Sequence, residues 1–301
     1  MKAALSLDLD NKWSYLKTHG DPAWKEFPSY LDVLVPRVLE ILARERLRIT
    51  FFIVGQDAAL PRHADALASI AAAGHEIGNH SHYHEPWMHR RDERAIDEEF
   101  ALAEESIACA TGRLPRGFRG PGFVRSQTML ATLVRRGYAY DASSLPTFIG
   151  PFARAYYFRT AKLGAAEMRE RHDLFGQFSD GFLPNRRHRV RVGDTSIAEV
   201  PVTTFPGLRL PIHISYVLYI AAVSPRLAMH YFRGALRACK LTGTEPSILL
   251  HPLDFLCAED CPELGFFPAM NLPLAVKLET VLRALRALTA EFEVHPVGDV
   301  V

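Results

Sequence analysis

The strongest constraint on this chain is an end-to-end alternation of short β-like runs with amphipathic helical runs, which a parallel sheet covered by helices accommodates. Ala3–Leu9, Ile49–Val54, Glu76–Gly78, Gly117–Arg119, Tyr138–Asp141, Glu199–Val202 and Ser247–Leu250 read as strands, and Phe292–His295 as a short final one. Between them, Pro36 suits the first position of a helix running towards Arg46, with Val35, Val38, Leu39 and Leu42 on its apolar face. A second helix follows Pro61 and ends near Gly74. Ile96, Phe100, Ala103 and Ile107 recur at spacings of four, three and four, so that helix buries one face until Gly112 stops it. Ser126 opens another helix that Gly137 closes, and Pro225–Leu241 and Pro273–Glu291 are the last two. From Ser144 to about Arg191 the periodicity fails in a Phe-, Pro- and Arg-rich stretch. The expectation is a parallel α/β barrel of about seven strands, one domain over residues 1–301, with residues 144–225 an inserted lid that faces the substrate.

Composition narrows the function classes. Lys+Arg 35 against Asp+Glu 34 leaves a net charge of +1, which excludes a protein held to nucleic acid by bulk attraction. Four cysteines at irregular spacing do not make a disulfide framework, and Cys257 with Cys261 reads as a loop pair of thiols because no second pair completes a zinc set. The N-terminus reaches Asp8 and Asp10 before any signal-length apolar run, so the expected location is cytoplasmic. Residues 205–223, interrupted by Arg209 and His213, read as a buried segment or pocket wall; the other reading is an interfacial surface touching the inner face of the membrane.

Thirteen histidines are the compositional surplus that bears on chemistry. Asp8 and Asp10 stand two apart at a strand end, so an extended backbone points both carboxylates to one face, where a cation or a shared proton must relieve their repulsion. His80 and His84 lie four apart in Asn-His-Ser-His-Tyr-His, a spacing that stacks two imidazoles on a helical turn as in metal pairs; a solvated histidine cluster is the bland alternative. One carboxylate and two imidazoles form a facial set with positions left open, the requirement of a catalytic rather than a structural metal. Arg119, Asp141 and His251 end three further strand-like runs and converge on the same rim if the barrel closes.

These residues resemble the polysaccharide deacetylases of carbohydrate esterase family 4, including the nodulation-factor chitooligosaccharide deacetylases. The resemblance runs in order through Asp8-Leu9-Asp10, Thr50-Phe51-Phe52, His80-Ser81-x-x-His84, Arg119-Gly120-Pro121, Tyr140-Asp141 and Leu249-x-His251. It implies a distorted barrel and a divalent metal, most often Zn2+, on Asp10, His80 and His84. It further implies Asp8 as general base, Arg119 pairing with Asp8 to orient it, and His251, tuned by Asp141, as general acid. Pro121, Leu249 and Ser144 would then border the substrate. Asp-Leu-Asp departs from the adjacent Asp-Asp of the common pattern, Arg-Gly-Pro-Gly from Arg-x-Pro-Tyr, and Ser144 stands where many members place Trp.

The implied reaction is hydrolysis of an N-acetyl or N-formyl group on an amino sugar. Arg186 and Arg187, within a basic stretch, suit a phosphate and hence a lipid-linked or nucleotide-linked intermediate of envelope or exopolysaccharide synthesis. The rivals are an allantoinase-like hydrolase of small ureides or cyclic amides and an inactive metal-binding scaffold.

Overall fold

The computed structural model describes residues 1–161, 163–172 and 174–301. Its strands are β1 (Lys2–Leu9), β2 (Thr50–Ile53), β3 (Glu76–Asn79), β4 (Gly117–Phe118), β5 (Tyr140–Asp141), β6 (His188–Val192), β7 (Thr195–Glu199), β8 (Ser247–Leu250) and β9 (Glu293–His295). The helices are α1 (Lys12–His19), α2 (Leu31–Arg44), α3 (Gly55–Ala58), α4 (Ala64–Ala72), α5 (Glu93–Thr111), α6 (Gln127–Arg135), α7 (Gly150–Thr160), α8 (Ala165–Glu170), α9 (Ile214–Ala221), α10 (Pro225–Leu241) and α11 (Leu274–Glu291).

Sheet order is β6-β7-β5-β4-β3-β2-β1-β8, with β9 beside β1. All neighbours from β7 to β8 along that path pair in parallel, and β6 is added antiparallel at the edge. Beyond β7, the Thr203 N–H donates to the Ser247 carbonyl at 2.9 Å and the Ser247 N–H to Thr203 Oγ1 at 2.8 Å, so the ends of the sheet meet. The result is the expected distorted barrel.

Alternation along β1 sorts its side chains between two cores. Leu5, Leu7 and Leu9 join the large outer core with Val35, Val38, Phe51 and Leu285, beneath the helices. Ala4 joins a small inner cluster with Phe52, Tyr140 and Ala198. Asp8 continues the inner row, which is why a carboxylate can stand inside the barrel mouth rather than under a helix. The expected face of α5 is buried throughout, from Ile96 to Ile107, and Gly112 ends it in the left-handed region at φ +69°.

Several expectations are corrected. Pro36 lies inside α2, not at its start, because Leu31 and Leu34 extend the buried apolar face by a turn and tertiary packing outweighs the lost N–H bond. Strand β7 begins four residues earlier than the expected Glu199–Val202, since its N-terminal part is paired by β6, a hairpin strand hidden within the irregular stretch. Residues 144–225 do not form one excursion: β7 pairs with β5 in the barrel, and α9 buries Ile214, Val217, Leu218 and Ala221 in the outer core. Residues 162 and 173 of that span lie outside the described residues. Within residues 205–223 the buried face of α9 thus belongs to the core, whereas Leu208, Leu210 and Val223 are exposed. Among the described residues, no helix is long and apolar enough to cross a membrane.

Candidate metal and acid–base centre

Loop 80–84 follows β3 and is not a helical turn. Ser81 and His84 both take positive φ, +62° and +50°, an arrangement non-glycine residues hold only where their surroundings enforce it. The first amides of α3 enforce it here: Gly55 N–H donates to the Ser81 carbonyl at 2.9 Å and Gln56 N–H to the His82 carbonyl at 3.0 Å. Gly55 is required for this approach, because a Cβ there would sit 2.6 Å from His82 Nδ1 and 2.8 Å from Ala103 Cα.

The loop brings Nε2 of both imidazoles onto one oxygen, Asp10 Oδ1, at 3.1 Å from His80 and 2.9 Å from His84. All three side chains are buried, and their ligand atoms lie within 4.8 Å of one another. His80 Nδ1 is 2.7 Å from the Arg119 carbonyl, which can only accept, so the ring carries its proton on Nδ1 and turns the Nε2 lone pair inward. Burial pushes the His84 ring below the usual histidine range, towards the neutral, ligating form. Burial alone would raise the Asp10 carboxyl, but the His84 and His80 imidazoles outweigh it and hold the group well below its ordinary value. Two imidazole nitrogens and one carboxylate oxygen, converging and buried, fit a divalent cation with open coordination positions.

Asp8 stands beside this set, its Oδ2 at 4.0 Å from His80 Nε2. Its Oδ1 receives a 2.8 Å bond from Nη1 of the fully buried Arg119, which also donates to Ser6 Oγ and, through Nε, to the Ala142 carbonyl. The guanidinium lies over the Phe52 ring at 4.4 Å. One Asp8 oxygen is thus anchored while the other faces the metal ligands.

The expected contact between Asp141 and His251 is not formed. Asp141 faces Glu199 across β5 and β7, and burial together with that neighbour pushes its carboxyl well above the usual range. Its Oδ1 accepts from Ser143 Oγ at 2.5 Å, and the same Ser143 oxygen accepts the Gly120 N–H at 2.8 Å, so Asp141 braces the strand end behind Arg119. His251 is instead held by Ser215 on α9, whose Oγ lies 3.0 Å from His251 Nδ1 and 2.7 Å from Asp254 Oδ1. Ser215 has no signal in the sequence, whereas Asp254 stands in His-Pro-Leu-Asp, the spacing of a capping turn.

The remaining expected site residues divide. Pro121 is buried directly after the Arg119 strand end, and Leu249 is buried in β8. Ser144 donates its N–H and hydroxyl to Glu199, at 3.0 and 2.5 Å. Arg186 donates to the Thr242 carbonyl and Arg187 lies 3.5 Å from Glu245, both in the segment entering β8, the opposite end of that strand from His251. The structure does not bring those arginines to the metal ligands. Sequence reasoning also passed over Asn11 and Trp13, which donate to Asp57 Oδ1 at 2.7 and 2.9 Å and brace the turn behind Asp10.

A family model described as polysaccharide deacetylase matches residues 26–140. A chitooligosaccharide deacetylase of Bradyrhizobium sp. is 32% identical over 105 residues, 35% of this chain and 47% of the relative. A peptidoglycan deacetylase of Helicobacter pylori is 28% identical over 123 residues, 40% of each chain. The chain therefore spans under half the length of these curated relatives. A candidate polysaccharide deacetylase from Mycobacterium smegmatis has the same fold, with a TM-score of 0.65 at 21% identity over 99% of this chain and 88% of that one.

Proposed function

We propose that this chain, whose residues 26–140 match the polysaccharide deacetylase family model, is a metal-dependent hydrolase removing an N-acyl group, acetyl or formyl, from an amino sugar. The observation that carries this reading is the convergence of Asp10, His80 and His84 beside the buried Asp8–Arg119 pair. Relatives that act on chitooligosaccharide and peptidoglycan support the amino-sugar class. Asp10, His80 and His84 would hold the cation, zinc by donor type, and when bound it supplies Lewis-acid polarisation of the amide carbonyl.

The chain's own residues do the proton work. Asp8 Oδ2, free of the Arg119 bond, accepts the proton of the attacking water. Arg119 restrains that carboxylate through Oδ1 and is itself restrained by Ser6 and Ala142. His251 delivers a proton to the departing nitrogen, leaving a free amine and a carboxylate.

Metal analysis combined with amine release tests the reading, using N-acetyl and N-formyl amino sugars supplied free, nucleotide-linked and lipid-linked, with allantoin-like ureides as the contrast. Asp8→Asn should keep bound metal and lose about 10²-fold or more in turnover, the span of one acid–base group, whereas His80→Ala should lose both. Full activity in Asp8→Asn would refute the base assignment, and turnover of ureides alone would refute the substrate class.

A further inference from the structure

Resting on the deacylase reading, we infer that Ser215 and Asp254 form a hydroxyl-bridged relay that fixes the tautomer of His251 and places a carboxylate behind the ring when it is protonated. The acid arm of the site is then built from α9 and the turn after β8, not from the β5 strand end that the motif pattern indicates.

The hydrogen-bond inventory of the three groups leaves one arrangement for an ionised Asp254. A carboxylate only accepts, and a serine hydroxyl has one proton. With Ser215 Oγ 2.7 Å from Asp254 Oδ1, that proton goes to Asp254. The 3.0 Å contact with His251 Nδ1 is therefore one in which the ring donates and Oγ accepts. His251 carries a proton on Nδ1, and Nε2 is the atom left to exchange a proton with substrate. Asp254 Oδ2 also accepts the His251 backbone N–H at 2.8 Å, so one buried carboxylate holds both the peptide and, through Ser215, the ring.

Burial pushes the Asp254 carboxyl above its ordinary value, while His251, the His251 N–H, Ser215 and Lys277 favour its ionised form. The His213 ring, 5.7 Å from that of His251, is pushed well below the ordinary histidine range by burial, with His251 and Arg119 adding to the effect, and stays neutral. Lys277, whose charge also acts on Asp254, donates to the carbonyls of Leu253 and Leu256. The hydroxyls of Tyr15 and Tyr219 feel the Asp254 charge, and burial keeps both protonated. When His251 takes its second proton, the Nδ1–H, the hydroxyl and the carboxylate line up to stabilise the imidazolium, much as a carboxylate orients the base in hydrolase triads.

The test has one arm independent of turnover. In protein labelled with ¹⁵N-histidine, the His251 ring resonances, assigned by their loss in His251→Gln, should show neutral His251 protonated on Nδ1. Ser215→Ala and Asp254→Asn should each lower its titration midpoint by about one unit, and Ser215→Thr should restore it. In amine release from N-acetylated chitooligosaccharides, Ser215→Ala should lower kcat about 10–100-fold with KM little changed and move the alkaline limb of kcat/KM to lower pH. A wild-type His251 protonated on Nε2, or a midpoint unmoved in both Ser215→Ala and Asp254→Asn, would overturn the relay. A limb that shifts in Asp141→Asn and not in Ser215→Ala would overturn it equally. If wild-type protein carries the expected ring signature and releases amine from no sugar, the relay stands and the substrate reading falls.

Discussion

The Arg119–Asp8 pair carries a stability cost that the coordinates allow to be sized. Arg119→Met keeps a chain of similar length over the Phe52 ring and removes the guanidinium, which has no solvent exposure. Removing one partner of a buried ion pair costs about 3–5 kcal/mol, because the other charge is left uncompensated. The acceptors on Ser6 and Ala142, now 2.8 and 2.9 Å from the guanidinium, lose their donor at about 1 kcal/mol each. The sum, about 5–7 kcal/mol, is a large fraction of the ~5–15 kcal/mol by which folded domains are stable. Asp8→Asn in the same background removes the stranded charge, so the double variant should be more stable than Arg119→Met alone. Urea unfolding of metal-stripped protein at pH 7, followed by circular dichroism and tryptophan fluorescence, measures all four corners of the cycle. Strict additivity of the two substitutions would refute the argument that the lost stability resides in the pair.

Two further expectations concern His75, just before β3 and at the opposite end of that strand from the site, and Gly55 beside loop 80–84. His75 is buried and its Nδ1 accepts the Ile49 N–H at 3.2 Å; burial, with Arg48 nearby, pushes the ring from 6.5 to about 4. The folded value is the lower one, so its contribution is full above about pH 6.5 and is lost as pH falls towards 4, by about 3 kcal/mol over the whole window. His75→Gln should flatten the fall of the urea midpoint between those pH values, and an unchanged slope would disprove it. Gly55→Ala should displace loop 80–84 at a cost of about 1–3 kcal/mol and weaken metal binding. A thermal melt and metal stoichiometry check it, and wild-type values in both would show that the close approach to His82 and Ala103 is not needed.

How far the sequence could be read depends on the range of the interaction concerned. The alternation of Leu5, Leu7 and Leu9 with Ser6 and Asp8 placed the carboxylate on the inner face, because side-chain direction in a strand is local. The α5 stripe and its cap at Gly112 were legible for the same reason. Pro36 lies inside α2 because burial of Leu31 and Leu34, a tertiary effect, overrides the local helix-start signal. The β6 hairpin has no clear local signal, because an edge strand with alternating exposed arginines has the composition of an Arg-rich loop.

Residue order alone indicates a parallel, helix-covered barrel and points to seven polar residues at its strand ends and one loop: Asp8, Asp10, His80, His84, Arg119, Asp141 and His251. Residue type and short spacing suffice for that, since strand periodicity and ligand chemistry are properties of a few neighbouring residues. Which partners those residues take is set by the closed barrel. Asp141 turned to Glu199, Arg186 and Arg187 went to the opposite end of β8, and His251 found Ser215 and, through it, Asp254. Such pairings join positions tens of residues apart, and they are set by how buried polar groups satisfy one another once the barrel has closed.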